Sequence, residues 1–157
     1  MRRLRKKTGS GITLSTVWDR YDFRDLALLR LDEARVLLKN EKYDGAYYLC
    51  GYTVECALKA CIARKTHEHD FPPKKDVINE IYKHDISSLM RASGLQTKLD
   101  KFIEKTHDKK LERYYSYILR WNEESRYMTH GKKDANDLFN AVANKNHGVL
   151  AWIKHHW

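Results

Sequence analysis

Arg126 and His130 lie four positions apart, and their residue types suit chemistry at a phosphate. An imidazole near its unperturbed pKa of about 6.5 takes or gives a proton close to neutral pH. A guanidinium holds two oxygens of an anionic centre through paired N–H groups. On a helix, i,i+4 spacing would put both side chains on one face, with Tyr127 as a neighbouring support. Gly131 follows at once, however, and the next helical pattern opens at Asp134. The pair is therefore expected on a loop, where spacing does not fix geometry. The structural alternative ties Arg126 to an acid such as Glu55, Glu123 or Glu124 and leaves His130 as a solvated turn residue.

Glu55 stands inside the apolar run TVECALKA. A carboxylate on a largely buried helix is costly unless paired. Two roles suit it: an acid that positions Arg126 or tunes His130, or half of a buried ion pair that staples its helix to the later loop. Arg64 and His69 form a second arginine–histidine pair, at a helix end running into Pro72-Pro73. In a chain with 30 Lys+Arg and eight His, such pairs arise by chance. His67-Glu68-His69-Asp70 gathers ligand-type residues, but histidines two apart do not share a helical face and no second cluster is identifiable. No metal and no cofactor are expected. Cys50, Cys56 and Cys61 fall on one helix without a C-x-x-C pair, with Cys50 and Cys61 near one face and Cys56 pointing elsewhere. They read as small core fillers in a reducing compartment.

The elements that must position these residues are helices. The run Tyr43 to Lys65 places Ala46, Leu49, Cys50, Thr53, Val54, Ala57, Leu58, Cys61 and Ile62 at helical spacing. A preceding helix over 17–40 has Leu26, Leu29 or Leu31, Ala34, Leu37 and Leu38 as its apolar stripe. The turn between them suits only an antiparallel neighbour, so the two form an αα-hairpin at the centre of the core. Pro72-Pro73 marks a loop. Further helices are expected over 75–92, with a break or cap at His84-Asp85, and over 96–106 and 110–121. A polar, irregular stretch over 122–133 precedes a last helix opening at Asp134 and broken or kinked at Gly148. Tyr47, Tyr48 and Tyr52, and Tyr114, Tyr115, Tyr117 and Trp121, suit base stacking. At helical spacing they more often build core or subunit interface.

With 157 residues, 42% apolar and 32% charged, the chain suits one soluble domain. No run of 18 apolar residues suggests a membrane span, and no apolar segment follows the basic start as in a secretory signal. A cytoplasmic protein is expected. The net charge is +9, and Arg2, Arg3, Arg5, Lys6 and Lys7 supply five positive charges before residue 8. Residues 1–15 read as a basic, flexible arm, either seeking nucleic-acid phosphates or simply solvated, and 16–157 as a single domain.

Four pieces resemble the HEPN domain family: LDEARVLLKNEKYDGAYYLCGYTVECALKA, KHDISSLMRASGL, RWNEESRY and GVLAWIKHHW. The resemblance implies an all-α bundle of five or six helices with an antiparallel core. HEPN ribonucleases carry an Arg, four to six residues and a His near the start of a late helix; here only three residues intervene. It implies metal-independent RNA cleavage, with Arg126 binding the scissile phosphate and His130 acting as acid or base. It implies too a homodimer built on late helices, and a defence or toxin–antitoxin setting with a nucleotidyltransferase-like partner or antitoxin. The short spacing leaves open a catalytically inactive HEPN module that binds a partner protein or a nucleotide.

Overall fold

The computed structural model describes residues 18–69, 79 and 81–157, without the side chains of 67–69. The basic arm, Phe71, the Pro72-Pro73 loop and the His67-Glu68-His69-Asp70 side chains lie outside the described residues. Among the described residues there is no strand, no group of three potential metal ligands, and no helix long and apolar enough to cross a membrane.

The first helix, α1 (Arg20–Lys39), starts later than its apolar stripe suggests. Asp19 closes a capping box: its carboxylate accepts from the N–H groups of Tyr21 and Asp22, and Asp22 accepts in return from Asp19 N–H. Of the two candidates for its core-facing leucine, Leu31 is buried and Leu29 is exposed. Glu41 then takes a left-handed conformation (φ 58°), and the Lys42 N–H reaches back to Leu37 O at 2.9 Å. This closes the turn into α2 (Tyr43–His69).

α2 is the axis of the molecule. It packs most extensively on α1, and also against the later segments Ile86–Ala92, Glu123–Tyr127, Lys132–Ala143 and Val149–Ile153. It is therefore buried on nearly all sides from Cys50 to Ile62. Cys56, expected to point away from the other two cysteines, is 1% exposed like its neighbours. Burial pushes all three thiols up to about 12, so they are inert core fillers.

The later elements are α3 (Ile86–Ala92), α4 (Gln96–Thr106), α5 (Lys109–Ile118), a 3-10 turn (Glu123–Tyr127), α6 (Lys132–Ala143) and α7 (Val149–Ile153). Among the described residues there are thus seven α-helices, consistent with the expected all-α bundle and more finely divided than five or six, because side-chain caps and one glycine cut the longer runs. Asp85 caps α3, as the break or cap expected at His84-Asp85 within 75–92 has it, by accepting from the Ser88 N–H (2.9 Å) and hydroxyl (2.7 Å). Gly148 divides α6 from α7: a Cβ there would lie 2.3 Å from the Asn144 carbonyl oxygen. α6 opens at Lys132, two residues before Asp134, with Gly131 in extended conformation as its cap and Asp134 in its first turn.

Asp108 caps α5 through the Leu111 N–H (2.9 Å) and also accepts from His147 Nδ1 (2.9 Å), tying the α4–α5 junction to the α6–α7 turn. Partial burial works against the charged carboxyls of Asp85 and Asp108, but the hydrogen bonds they accept outweigh it and hold both below the usual carboxylate range. A depressed folded-state pKa adds stability above the unfolded value of about 3.9 and loses it as pH falls through the folded value. Urea unfolding followed below about pH 4 should therefore show a stability loss that is shallower in Asp108→Asn. Asp108→Ala should cost about 1 kcal/mol at neutral pH, the usual worth of an N-cap.

Candidate functional site

A cleft of about 330 Å³ lies between the first turns of α2, the end of α5 and the start of α6. Tyr47 forms one wall, Tyr117 and Arg120 another, and His130, Lys133, Asp134 and Asp137 complete the rim. His130 enters from the extended segment between the 3-10 turn and α6, so the loop placement expected for it holds. Two contacts fix it. Its backbone N–H donates to Asp44 Oδ1 at the start of α2, and its ring stacks on Tyr47 with centroids 3.7 Å apart and planes within 12°. Nε2 is buried with no hydrogen-bond partner among the described residues.

Two cations share the cleft. The Arg120 guanidinium lies 5.5 Å from the Tyr117 ring centroid. Lys133 donates to Asp137 one turn on, at 2.7 Å, and that carboxylate raises its pKa. The Tyr47 phenol is raised by burial and by Asp134, against an opposing pull from Arg120. It therefore stays protonated at neutral pH and is available as a donor.

Arg126 takes a different side of α2. It is exposed, its guanidinium sits 4.9 Å from the Tyr127 ring centroid, and Tyr48 is its other neighbour. Tyr47 and Tyr48 are consecutive helical residues and project about 100° apart. The residue against Tyr47 and the residue against Tyr48 therefore face different directions, and Arg126 does not line the His130 cleft. Nor does it form an ion pair with Glu55, Glu123 or Glu124 among the described contacts, so the expected structural alternative for Arg126 does not hold either. Tyr127 is 79% exposed and supports Arg126 rather than the cleft.

Glu55 neither positions Arg126 nor touches His130. It is 1% exposed and is bound by Lys59 one turn along α2 and by His84 Nδ1, each at 2.8 Å. The far nitrogen of His84 approaches Glu123 at 3.4 Å. Glu55 is thus paired as a buried carboxylate must be, but the partner that reaches it from outside the helix is a histidine 29 positions away, on the segment leading into α3, and not a residue of the later loop. Arg64, the other member of the second arginine–histidine pair, donates to the His156 carbonyl oxygen at 3.3 Å and is remote from the cleft.

The residue that sequence reading passed over is Arg120. The signal was present in Tyr117 and Arg120, three apart on one helical face. The backbone that carries Arg120 is anchored by its neighbour Trp121, 2% exposed, whose indole fills the space left by Gly51 on α2. A larger hollow of about 510 Å³ between α4 and α5 is lined by Asp100, Glu104 and Glu112 among others, a poor match to an anionic ligand.

An all-helical bundle built around one buried helix, with a late His loop docked on that helix's first turn, defines the class of protein. A family model for the HEPN domain matches residues 22–155, and the chain belongs to the HEPN domain family. No curated protein and no solved structure matches it.

Proposed function

We propose that this HEPN domain is directed at RNA and works as a metal-independent endoribonuclease through the His130 cleft, in a defence or toxin–antitoxin setting. The observation that carries this reading is His130 itself: a histidine clamped by stacking and a backbone hydrogen bond, with ring nitrogen Nε2 held without a hydrogen-bond partner among the described residues, in a cleft with Arg120 and Lys133. RNA cleavage by transesterification requires the 2′-hydroxyl to lose a proton as its oxygen attacks phosphorus, and the departing 5′-oxygen to gain one. The products are a 2′,3′-cyclic phosphate and a 5′-hydroxyl. His130 serves one transfer, and His130 of a second copy in a homodimer serves the other. Arg120 binds the phosphorane oxygens. Arg126 acts as an outlying cation on the strand.

A second reading is a catalytically inactive module that binds a partner, such as a nucleotidyltransferase-like protein or antitoxin, or a nucleotide. It is favoured by the separation of Arg126 from His130 and by the engagement of Lys133 with Asp137. The test is incubation of the purified protein with a pool of tRNA and mRNA in EDTA, beside His130→Ala, Arg120→Ala and Arg126→Ala. Cleavage lost in the first two variants and retained in the third supports the enzyme with Arg120 as its phosphate ligand. Absent cleavage, or cleavage indifferent to His130, makes the binding module the better reading.

A further inference from the structure

Cations converge at the end of the bundle remote from the cleft. Tyr47 and Arg64 are 17 residues apart on one straight helix, or about 26 Å at 1.5 Å per residue. Around Arg64 four sections of chain meet. Arg24 of α1 lies 5.1 Å from the Trp157 ring centroid and 5.6 Å from that of Tyr21. Lys154 lies 5.8 Å from the same Trp157 centroid. Arg64 holds the backbone of His156, whose ring packs 4.6 Å from Trp152. Lys98 of α4 completes the group. His156 is shifted toward its neutral form by burial and then by Lys98, His155 and Arg64. The charges felt by buried Cys61 just beneath are likewise Arg64, Lys98 and Arg24. The nearest α1 acid of the first turn, Asp22, is committed to the capping box.

Exposed cations gathered on one surface favour an anionic ligand. The rings decide which anion. Trp157 is half-buried and Tyr21 exposed, each with a guanidinium or ammonium beside its ring. Flat rings alternating with cations fit a single strand, in which phosphates and base faces alternate. We propose that this end of the bundle is a single-strand RNA-binding surface: Arg24, Lys98 and Lys154 take phosphates, and Trp157 and Tyr21 stack bases. It deepens the RNA-directed reading above, which it rests on, by giving the strand a second hold outside the cleft.

The experiment measures anisotropy of a labelled single-stranded oligoribonucleotide against salt, in a His130→Ala background so that the strand stays intact. Lys98→Gln/Lys154→Gln is compared with that background, and Arg24→Gln is then added. Both lysines are exposed, so the double variant keeps its fold, which circular dichroism verifies. Each lost phosphate contact on a single strand should flatten the log K against log salt slope by about 0.7, hence by about 1.4 for the double variant, with roughly tenfold or greater weakening at low salt. Unchanged slope and affinity would overturn the surface. So would unchanged RNA binding together with lost binding to phosphatidylserine vesicles, which would reassign the patch to a membrane. The cleft reading is judged separately by His130-dependent cleavage. Weaker RNA binding in the lysine variant without such cleavage leaves the surface standing on a binding module.

Discussion

His130→Ala is expected to lower metal-free RNA cleavage by roughly 10²–10⁴-fold, the usual worth of a positioned acid–base group, while the bundle stays folded. The fold survives because the segment is tied down by the backbone: the His130 N–H, not its ring, donates to Asp44, and alanine keeps that bond. What alanine removes is the stack on Tyr47, worth about 0.5–1.5 kcal/mol for aromatic pairs. His130→Phe separates the two contributions. It restores a ring over Tyr47 and supplies no nitrogen, so stability should return and cleavage should not. Recovery of activity with phenylalanine would assign His130 a packing role only. Beside it, Arg120→Ala should lose about 10²–10³-fold, as when one donor to a developing oxyanion is deleted. Arg126→Ala should lose far less, because its guanidinium lies over Tyr127 outside the cleft. Equal losses at Arg120 and Arg126 would mean that the strand spans both sides of α2.

Gly51→Ala should lower stability by about 2–3 kcal/mol, or about 5–10 °C in Tm for a chain of this size. Helix propensity alone predicts the reverse, since alanine inside a helix is favoured over glycine by about 1 kcal/mol. The sign is decided by Trp121. A Cβ at position 51 would come 2.2 Å from both Cγ and Cδ2 of the indole, and a rigid, buried bicycle has no free end to swing aside. Moving it surrenders part of a contact whose complete loss typically costs 3–5 kcal/mol. The same displacement shifts Arg120 and the 3-10 turn, so cleft function should fall with stability. Thermal melts of Gly51→Ala, Trp121→Leu and the double variant provide the measurement. The double should be less destabilised than the sum, because leucine vacates the space the new methyl needs. A higher Tm for Gly51→Ala would refute the packing argument.

The sequence carried what local physics determines. The start and apolar face of α2 followed from its apolar period, though the helix runs four residues past Lys65 to His69; the cap at Asp85 and the division at Gly148 were also legible. The all-helical class and the family followed from the same patterns. What remained hidden depended on pairings across long stretches of chain. Glu55 announced that it needed a partner, but an i+4 lysine and a histidine 29 residues away supplied it, not the arginine of the later loop. Arg126 and His130 looked like one unit by spacing, yet the 3-10 turn and the extended segment after it deliver them to different tyrosines of α2. Arg120 joins His130 only because Trp121 docks under Gly51, and a glycine in a helical pattern does not say what fills the space beside it.

The contact between Asp44 and His130 closes a loop of 86 residues. The α1–α2 hairpin, by contrast, is joined by a turn of three residues and buries its partner face locally. Contacts of short span form early and those of long span late, since loop closure has to precede their reward. The cleft is thus assembled at the end of folding, after α6 has emerged and docked. A nascent or truncated chain is expected to hold a preformed hairpin before the cleft is assembled. Stopped-flow kinetics should show this order. Core substitutions such as Ala34→Gly on α1 should slow folding, whereas His130→Ala should chiefly hasten unfolding. The opposite pattern would place cleft formation in the folding nucleus.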